Sequence, residues 1–166
     1  MKRLSRSLLS AVLLVSICAA FVIAAEPQKL PKEPSSATTV TDSASDIHAA
    51  LKKYDTAFQA RDLTVMKQMF AEDIVLYEQG EQNSGRDDVM NRHLGPELRS
   101  FQELSARYSG LRVQESNTMA TVTRQFSIQA KRQNRPHFFQ GCETQSWELR
   151  DGRWLITHIH YSFPAR

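Results

Sequence analysis

Glu143-Thr144-Gln145-Ser146-Trp147-Glu148-Leu149-Arg150-Asp151-Gly152-Arg153-Trp154-Leu155-Ile156-Thr157-His158-Ile159-His160-Tyr161-Ser162, near the end of the chain, is the stretch from which the fold can be read. Asp151-Gly152 separates two runs rich in aromatic and β-branched residues, the strongest short-range signal for a tight type I′ hairpin, so two antiparallel strands are predicted. Strict alternation along the second strand puts Trp154, Ile156, His158, His160 and Ser162 on one face and Leu155, Thr157, Ile159 and Tyr161 on the other. Both faces then carry large apolar groups. A strand of that kind belongs in the middle of a sheet, with helices on one side and further cover, such as a second subunit, on the other.

The segments upstream supply that cover. From Ser45 or Asp46, either able to cap, Ile47, Ala50, Leu51, Tyr54, Ala57 and Phe58 recur at helical spacing, and the helix runs to about Arg61. Asp62 caps a shorter helix with Leu63, Met66, Met69 and Phe70 on one face. Ile74 to Tyr77 reads as a strand, Gly80 to Gly85 as a turn-rich connection, and Arg86 to Leu94 as a short helix stopped by Gly95-Pro96. Three long strand-like runs follow, Phe101 to Glu115, Met119 to Lys131 and Arg135 or Phe138 to Leu149, with turns at Asn117 and Gln133-Asn134. Helices first and strands afterwards indicate an α+β fold, in which N-terminal helices pack on a strongly curved antiparallel sheet. Along the middle run Thr121, Thr123, Gln125, Ser127 and Gln129 form an uncharged polar face, which is either solvated or the polar lining of a cavity.

The N-terminus is of a different kind. Lys2, Arg3 and Arg6, an apolar run from Leu8 to Ile23 and the small residues Ala24-Ala25 occur in signal-peptide order. Residues 1–25 are therefore expected to be a cleaved leader, with no stable membrane insertion afterwards and a periplasmic or secreted mature chain. Residues 26–44, with Pro27, Pro31 and Pro34 among Ser, Thr and Lys, cannot bury a core and read as a flexible linker. Residues 45–166 are the size of one ordinary domain. The formal charge of +3 resides in the leader, so the mature chain is close to neutral and lacks the basic patch that binding nucleic acid requires. Cys18 falls in the leader, and Cys142 alone cannot form an internal disulfide; it is expected to be a small buried residue.

Glu143-Thr144, Trp147, Arg150-Asp151-Gly152, Trp154, His158, His160 and Ser162 resemble the last hairpin of the association domain of calcium/calmodulin-dependent protein kinase II. Phe70-Ala71-Glu72-Asp73, followed by a strand and Gly85-Arg86-Asp87-Asp88, resembles the SnoaL-like and ketosteroid-isomerase-like proteins. Both belong to the nuclear transport factor 2-like superfamily, and the resemblance spans Asp46 to Ser162. It implies a cystatin-like cone, a bent sheet closed by helices around an apolar pocket, usually dimeric through the outer sheet face. Relatives of this kind include isomerases, cyclases, dehydratases and non-catalytic assembly domains, so the fold does not name the function.

What the resemblance implies about the site is more specific. In the ketosteroid isomerases a carboxylate moves a proton while a helix-one tyrosine and a protonated acid stabilise the enolate; these positions fall at Glu78, Tyr54 and, for the acid, near Gln145. Glu78 is then the candidate general base and Tyr54 the oxyanion donor. The plainer reading makes Tyr54 a core residue and Glu78 an exposed strand end. The arginines of the kinase association pocket correspond to Gln125, His137 and Gln145, a departure that favours a neutral ligand over an anion. Gln125, Gln145, Trp147, His137 and His158 are the candidate ligand-binding residues. His158 and His160, two apart on a strand, could hold a metal only with a third ligand that is not evident, so no metal and no cofactor are expected. Arg124 is expected to face outward, toward a dimer partner. The expected function is an exported homodimer that binds a small, largely apolar molecule. The alternatives are a cofactor-independent isomerase, cyclase or lyase and a non-catalytic assembly domain.

Overall fold

The computed structural model describes residues 46–164. The leader, with Cys18, and the linker lie outside these residues. No described helix is long and apolar enough to cross a membrane.

Helix α1 (Ile47–Ala60) starts where Asp46 accepts a hydrogen bond from the His48 backbone N–H, and it buries Ile47, Leu51, Tyr54, Ala57 and Phe58 along one stripe. It ends at Arg61, which takes the left-handed conformation and donates its backbone N–H to the last turn. Asp62 then caps α2 (Leu63–Met69) by accepting from the Val65 N–H. Strand β1 (Phe70–Glu78) follows with no loop. The connection after it contains a strand that the sequence reading passes over, β2 (Glu81–Ser84). Gln79 and Gly80 both have positive φ, 52° and 87°, and so close a two-residue hairpin. Its strand is polar because it lies at the sheet's edge.

The predicted stop at Gly95-Pro96 is absent. Residues 86–100 are helical throughout, α over Arg86–Asp88, π over Val89–Leu94 and α again over Gly95–Ser100. In the wider turn the Gly95 N–H reaches the Met90 carbonyl five residues back. Pro96 thereby falls in the first turn of a new α segment, where its missing N–H is not needed. Only glycine fits at 95, because a Cβ there would lie 2.1 Å from the Met90 carbonyl oxygen. Helix propensity alone would make Gly95→Ala stabilising by about 1 kcal/mol. The carbonyl contact reverses the sign, and urea denaturation should show a loss of about 1–3 kcal/mol. A more stable variant would mean that the π turn is not the native geometry.

The remaining strands are β3 (Glu103–Glu115), β4 (Met119–Arg132), β5 (Arg135–Arg150) and β6 (Arg153–Ser162), in the sheet order β2-β1-β6-β5-β4-β3. Strand β6 lies inside the sheet, between β1 and β5. The sheet is antiparallel except for β1 and β6, which run parallel. Asp151-Gly152 and Gln133-Asn134 both close their hairpins with paired positive φ values.

One irregularity changes the reading of the decisive stretch. Trp147 pairs with Ile156, but Ser146 pairs with His158, so Thr157 is an extra residue in β6. Such a bulge turns every later side chain to the opposite face and bends the strand. Trp154 and Ile156 therefore share the inner face with Ile159 and Tyr161, while His158 and His160 point to the outer one. The second apolar stripe, from which the sequence reading infers a homodimer, is not there. A further bulge between Ser109 and Arg112 adds curvature to the β3–β4 pair, and the sheet stays curved and unclosed. Buried side chains of the helices, Tyr54, Met66 and Leu98 among them, form one cluster with Val122, Trp147 and Ile156 of its inner face.

Candidate functional site

Between the helices and the inner face lies a cleft walled by aromatic rings. Phe58 of α1, Phe101, Phe126 of β4, Phe139 of β5 and Phe163 line it together with Leu94, Leu98 and Ile128. Phe126 meets the Tyr161 and Phe163 rings edge-on, with centroids 5.8 and 5.5 Å apart. Five ionisable residues interrupt this surface: Glu78 and Glu97 among them, with Tyr108, Glu143 and Tyr161. The free volume in this conformation is about 40 Å³, well below the roughly 300–1,000 Å³ of an open ligand pocket.

The floor of the cleft rests on a buried polar chain. Alternation along β5 puts Glu143, Gln145 and Trp147 on the inner face, all three buried. The Trp147 indole N–H donates to Gln145 Oε1 at 2.9 Å, and Gln145 Nε2 donates to Glu143 Oε1 at 2.7 Å. The other Glu143 oxygen accepts from Arg124 Nε at 2.6 Å, its direct cross-strand neighbour. Arg124 then reaches Asp55 of α1 through two 2.8 Å bonds and lies 3.6 Å above the Tyr108 ring. Among the described residues no buried side-chain polar atom is left without a partner. Burial works against the charged guanidinium, but the Asp55 bonds and the Glu143 charge outweigh it and hold the Arg124 pKa above its ordinary value. Two carboxylates neutralise this one cation, so the floor offers no surplus positive charge to an anion.

Two phenols meet at this floor. The Tyr54 and Tyr161 hydroxyls are 3.5 Å apart. Burial first, with Tyr54 and Glu143 adding to it, raises Tyr161 well above the usual phenol range; burial and Glu143 raise Tyr54 as well. Both keep their protons at neutral pH and are hydrogen-bond donors. Tyr161 is the one that lines the cleft.

At the cleft's end, the last residue of β1 meets the interrupted helix. Glu78 Oε2 lies 2.8 Å from His93 Nε2, each side chain 18% exposed. The Glu78 hydrogen bond raises the His93 pKa against the opposing effect of burial. Burial, and then the Glu78 charge, raise Glu97.

The candidate residues thus divide. Glu78 lines the cleft. Tyr54 does not; its ring packs among Phe58, Phe70 and Trp147, and only its hydroxyl approaches the site, through Tyr161. Gln145 and Trp147 are fully buried behind the cleft. Gln125 is exposed on the outer face, where its amide oxygen accepts from Ser109, so the polar face of β4 is the solvated one. His137 stacks on Phe139 rather than lining the cleft, and the bulge carries His158 outward against Tyr77. Arg124, expected outside, is buried, because it shares its face with Val122 and Phe126 and finds two carboxylates there. Cys142, expected inside, is exposed, since Glu143 takes the inward position next to it.

Sequence reasoning missed Tyr161, Glu143, His93 and Glu97. Strict alternation hid the first. The apparent stop at Gly95-Pro96 put Glu97 beyond the predicted helix that holds His93 and so hid their pairing, one helical turn apart.

The sequence matches the SnoaL-like domain family over residues 47–166. The chain belongs to that family. No curated protein matches the sequence. Solved structures of the nuclear transport factor 2-like superfamily share the SnoaL-like chain's fold. A provisionally named ketosteroid isomerase from Shewanella frigidimarina is 23% identical, with a TM-score of 0.63, covering 73% of this chain and 96% of that one. A provisionally named scytalone dehydratase from Novosphingobium aromaticivorans is 17% identical, with a TM-score of 0.64, over 72% of this chain and 82% of that one. A provisionally named calcium/calmodulin-dependent protein kinase II association domain from Xanthomonas campestris is 19% identical, with a TM-score of 0.63, over 72% and 86%. The likeness is one of fold, and the fold is compatible with ligand binding and with isomerase or dehydratase activity.

Proposed function

We propose that this SnoaL-like chain is exported and that its folded domain binds a small, largely apolar molecule carrying one polar oxygen function. The aromatic-walled cleft with the Tyr161 hydroxyl on its floor is the observation that carries this reading. Apolar walls supply most of the binding free energy and a few placed polar groups orient the ligand. Phe139 and Phe163 are half-buried members of the cleft's wall. The order of charge, apolar run and small residues in 1–25 supports export. Native mass spectrometry of protein taken from the periplasmic or secreted fraction of its source should show a chain beginning near Glu26 with a small organic adduct. Ile128→Trp, which fills the cleft, should lose the adduct. An intact leader would overturn the export, and a wild-type protein without adduct, or an adduct retained by the variant, would overturn the binding.

A second reading, cofactor-independent proton transfer, draws on the placement of the Glu78 carboxylate and the Tyr161 hydroxyl in one cleft. Glu78 would take a proton from carbon, and Tyr161, backed by Tyr54, would donate to the oxyanion that forms. Glu78→Gln keeps the shape and removes the base. Any isomerase or lyase activity should then fall roughly 100-fold or more while binding persists; unchanged turnover would leave only the binding module.

A further inference from the structure

Glu78, His93 and Glu97 each present a ligand atom such that all three atoms lie within 4.8 Å of one another. We propose that this cluster is a divalent-metal site for Zn²⁺ or a first-row ion of similar preference, with its open coordination position facing the cleft. Metal–ligand distances of about 2.0–2.2 Å place neighbouring ligand atoms roughly 3.0–3.5 Å apart. The Glu78–His93 pair, at 2.8 Å, is already close to that spacing, and Glu97 needs a side-chain adjustment on the order of 1 Å.

The architecture suits such a site. His93 and Glu97 stand four apart on one helix face, and the π turn is what lets the helix continue past Pro96 to carry both. Glu78 comes from a strand end, so the three ligands sit on two rigid elements. Two carboxylates and an imidazole converge on one partly buried place, where like charges repel. A dication relieves that repulsion. The ion takes the place of the Glu78–His93 hydrogen bond; the Nε2 proton passes to Nδ1 in a neutral ring, and an imidazolium releases one proton to solvent. One imidazole and two carboxylates, without thiolate, suit zinc or another first-row dication, whereas Ca²⁺ needs six to eight oxygens. Three protein ligands leave a fourth position open to a water or to a cleft ligand's oxygen.

The proposal does not depend on the apolar-ligand reading, since zinc can bind an otherwise empty cleft. It does exclude proton abstraction by Glu78 in the loaded state, because the carboxylate that would act as base is then a ligand.

The test uses the untagged full chain, freed of metal with a chelator. Calorimetry with ZnCl₂ should show one site per chain with a Kd at or below roughly 10 μM, and Co²⁺ should give visible bands of low-coordinate geometry. Zinc should also raise the Tm. His93→Gln and Glu97→Gln, each checked for folding by circular dichroism, should weaken binding by about 10-fold or more and remove the Tm rise, while His160→Gln leaves both unchanged. A third partner, Glu78→Asp, keeps the charge at a shorter reach and serves if either variant fails to fold; it too should weaken binding. Absence of saturable zinc binding, or binding that survives these substitutions, would overturn the site.

Discussion

Arg124→Met should destabilise the protein by about 3–5 kcal/mol in urea or guanidinium denaturation, because it leaves buried carboxylate charge uncompensated. The Glu143 side chain is 2% exposed and that of Asp55 22%, and Arg124 is the cation that both of them contact. Methionine keeps much of the aliphatic volume, so the loss reports the charge and its hydrogen bonds rather than a cavity. Adding Glu143→Gln to Arg124→Met should recover part of the loss, since the stranded carboxylate becomes a neutral amide. Arg124→Lys should be intermediate: it retains the charge but cannot reach Asp55 with two parallel bonds while also donating to Glu143. A cost below about 1 kcal/mol for Arg124→Met would mean that water reaches these carboxylates and that the chain from Asp55 to Trp147 is not a closed unit.

Trp147→Ala should cost a similar amount, about 3–5 kcal/mol, by removing the largest fully buried side chain from the inner face. The ring packs edge-on against Tyr54, with centroids 6.3 Å apart, and its N–H is the donor to Gln145 Oε1. Trp147→Phe separates the two contributions. It keeps most of the packing but orphans the Gln145 acceptor, so about 1–3 kcal/mol should be lost. Because Trp147 and Arg124 are joined through Gln145 and Glu143, the double variant should depart from additivity by about 0.5–3 kcal/mol. Strict additivity would sink the idea of one network. Since the network supports the floor on which Tyr161 lies, Trp147→Phe should also weaken ligand binding without any contact to the ligand.

Much of the architecture is legible in the sequence. Asp46 and Asp62 announce their helices because a short acceptor before an apolar stripe is a local device. Asp151-Gly152 announces its hairpin because both residues tolerate positive φ. The order of helices and strands already implies the curved sheet, and the family resemblance adds the pocket, with Glu78 as a candidate residue in it. The errors came where a local rule depends on an unseen neighbour. A bulge such as that at Thr157 is defined by the register of two strands, and no feature of β6 alone marks it; strict alternation therefore places His158, Ile159, His160 and Tyr161 on the wrong faces. The helix passes Gly95-Pro96 through a π turn, and Leu94 and Leu98 on either side of that pair are both buried.

By itself the sequence determined what local chemistry controls: the caps, the hairpin turns, the α+β order and the amphipathic stripe of α1. Only the tertiary structure decided which polar groups share a space. Arg124 is inside because Glu143 lies across the strand pair and Asp55 lies above on α1, two partners far from it in sequence. Glu78, His93 and Glu97 converge because a strand end happens to meet one turn of a helix. Charge burial is tolerated only where partners from separate elements arrive together, and that meeting is a property of packing rather than of any stretch of chain.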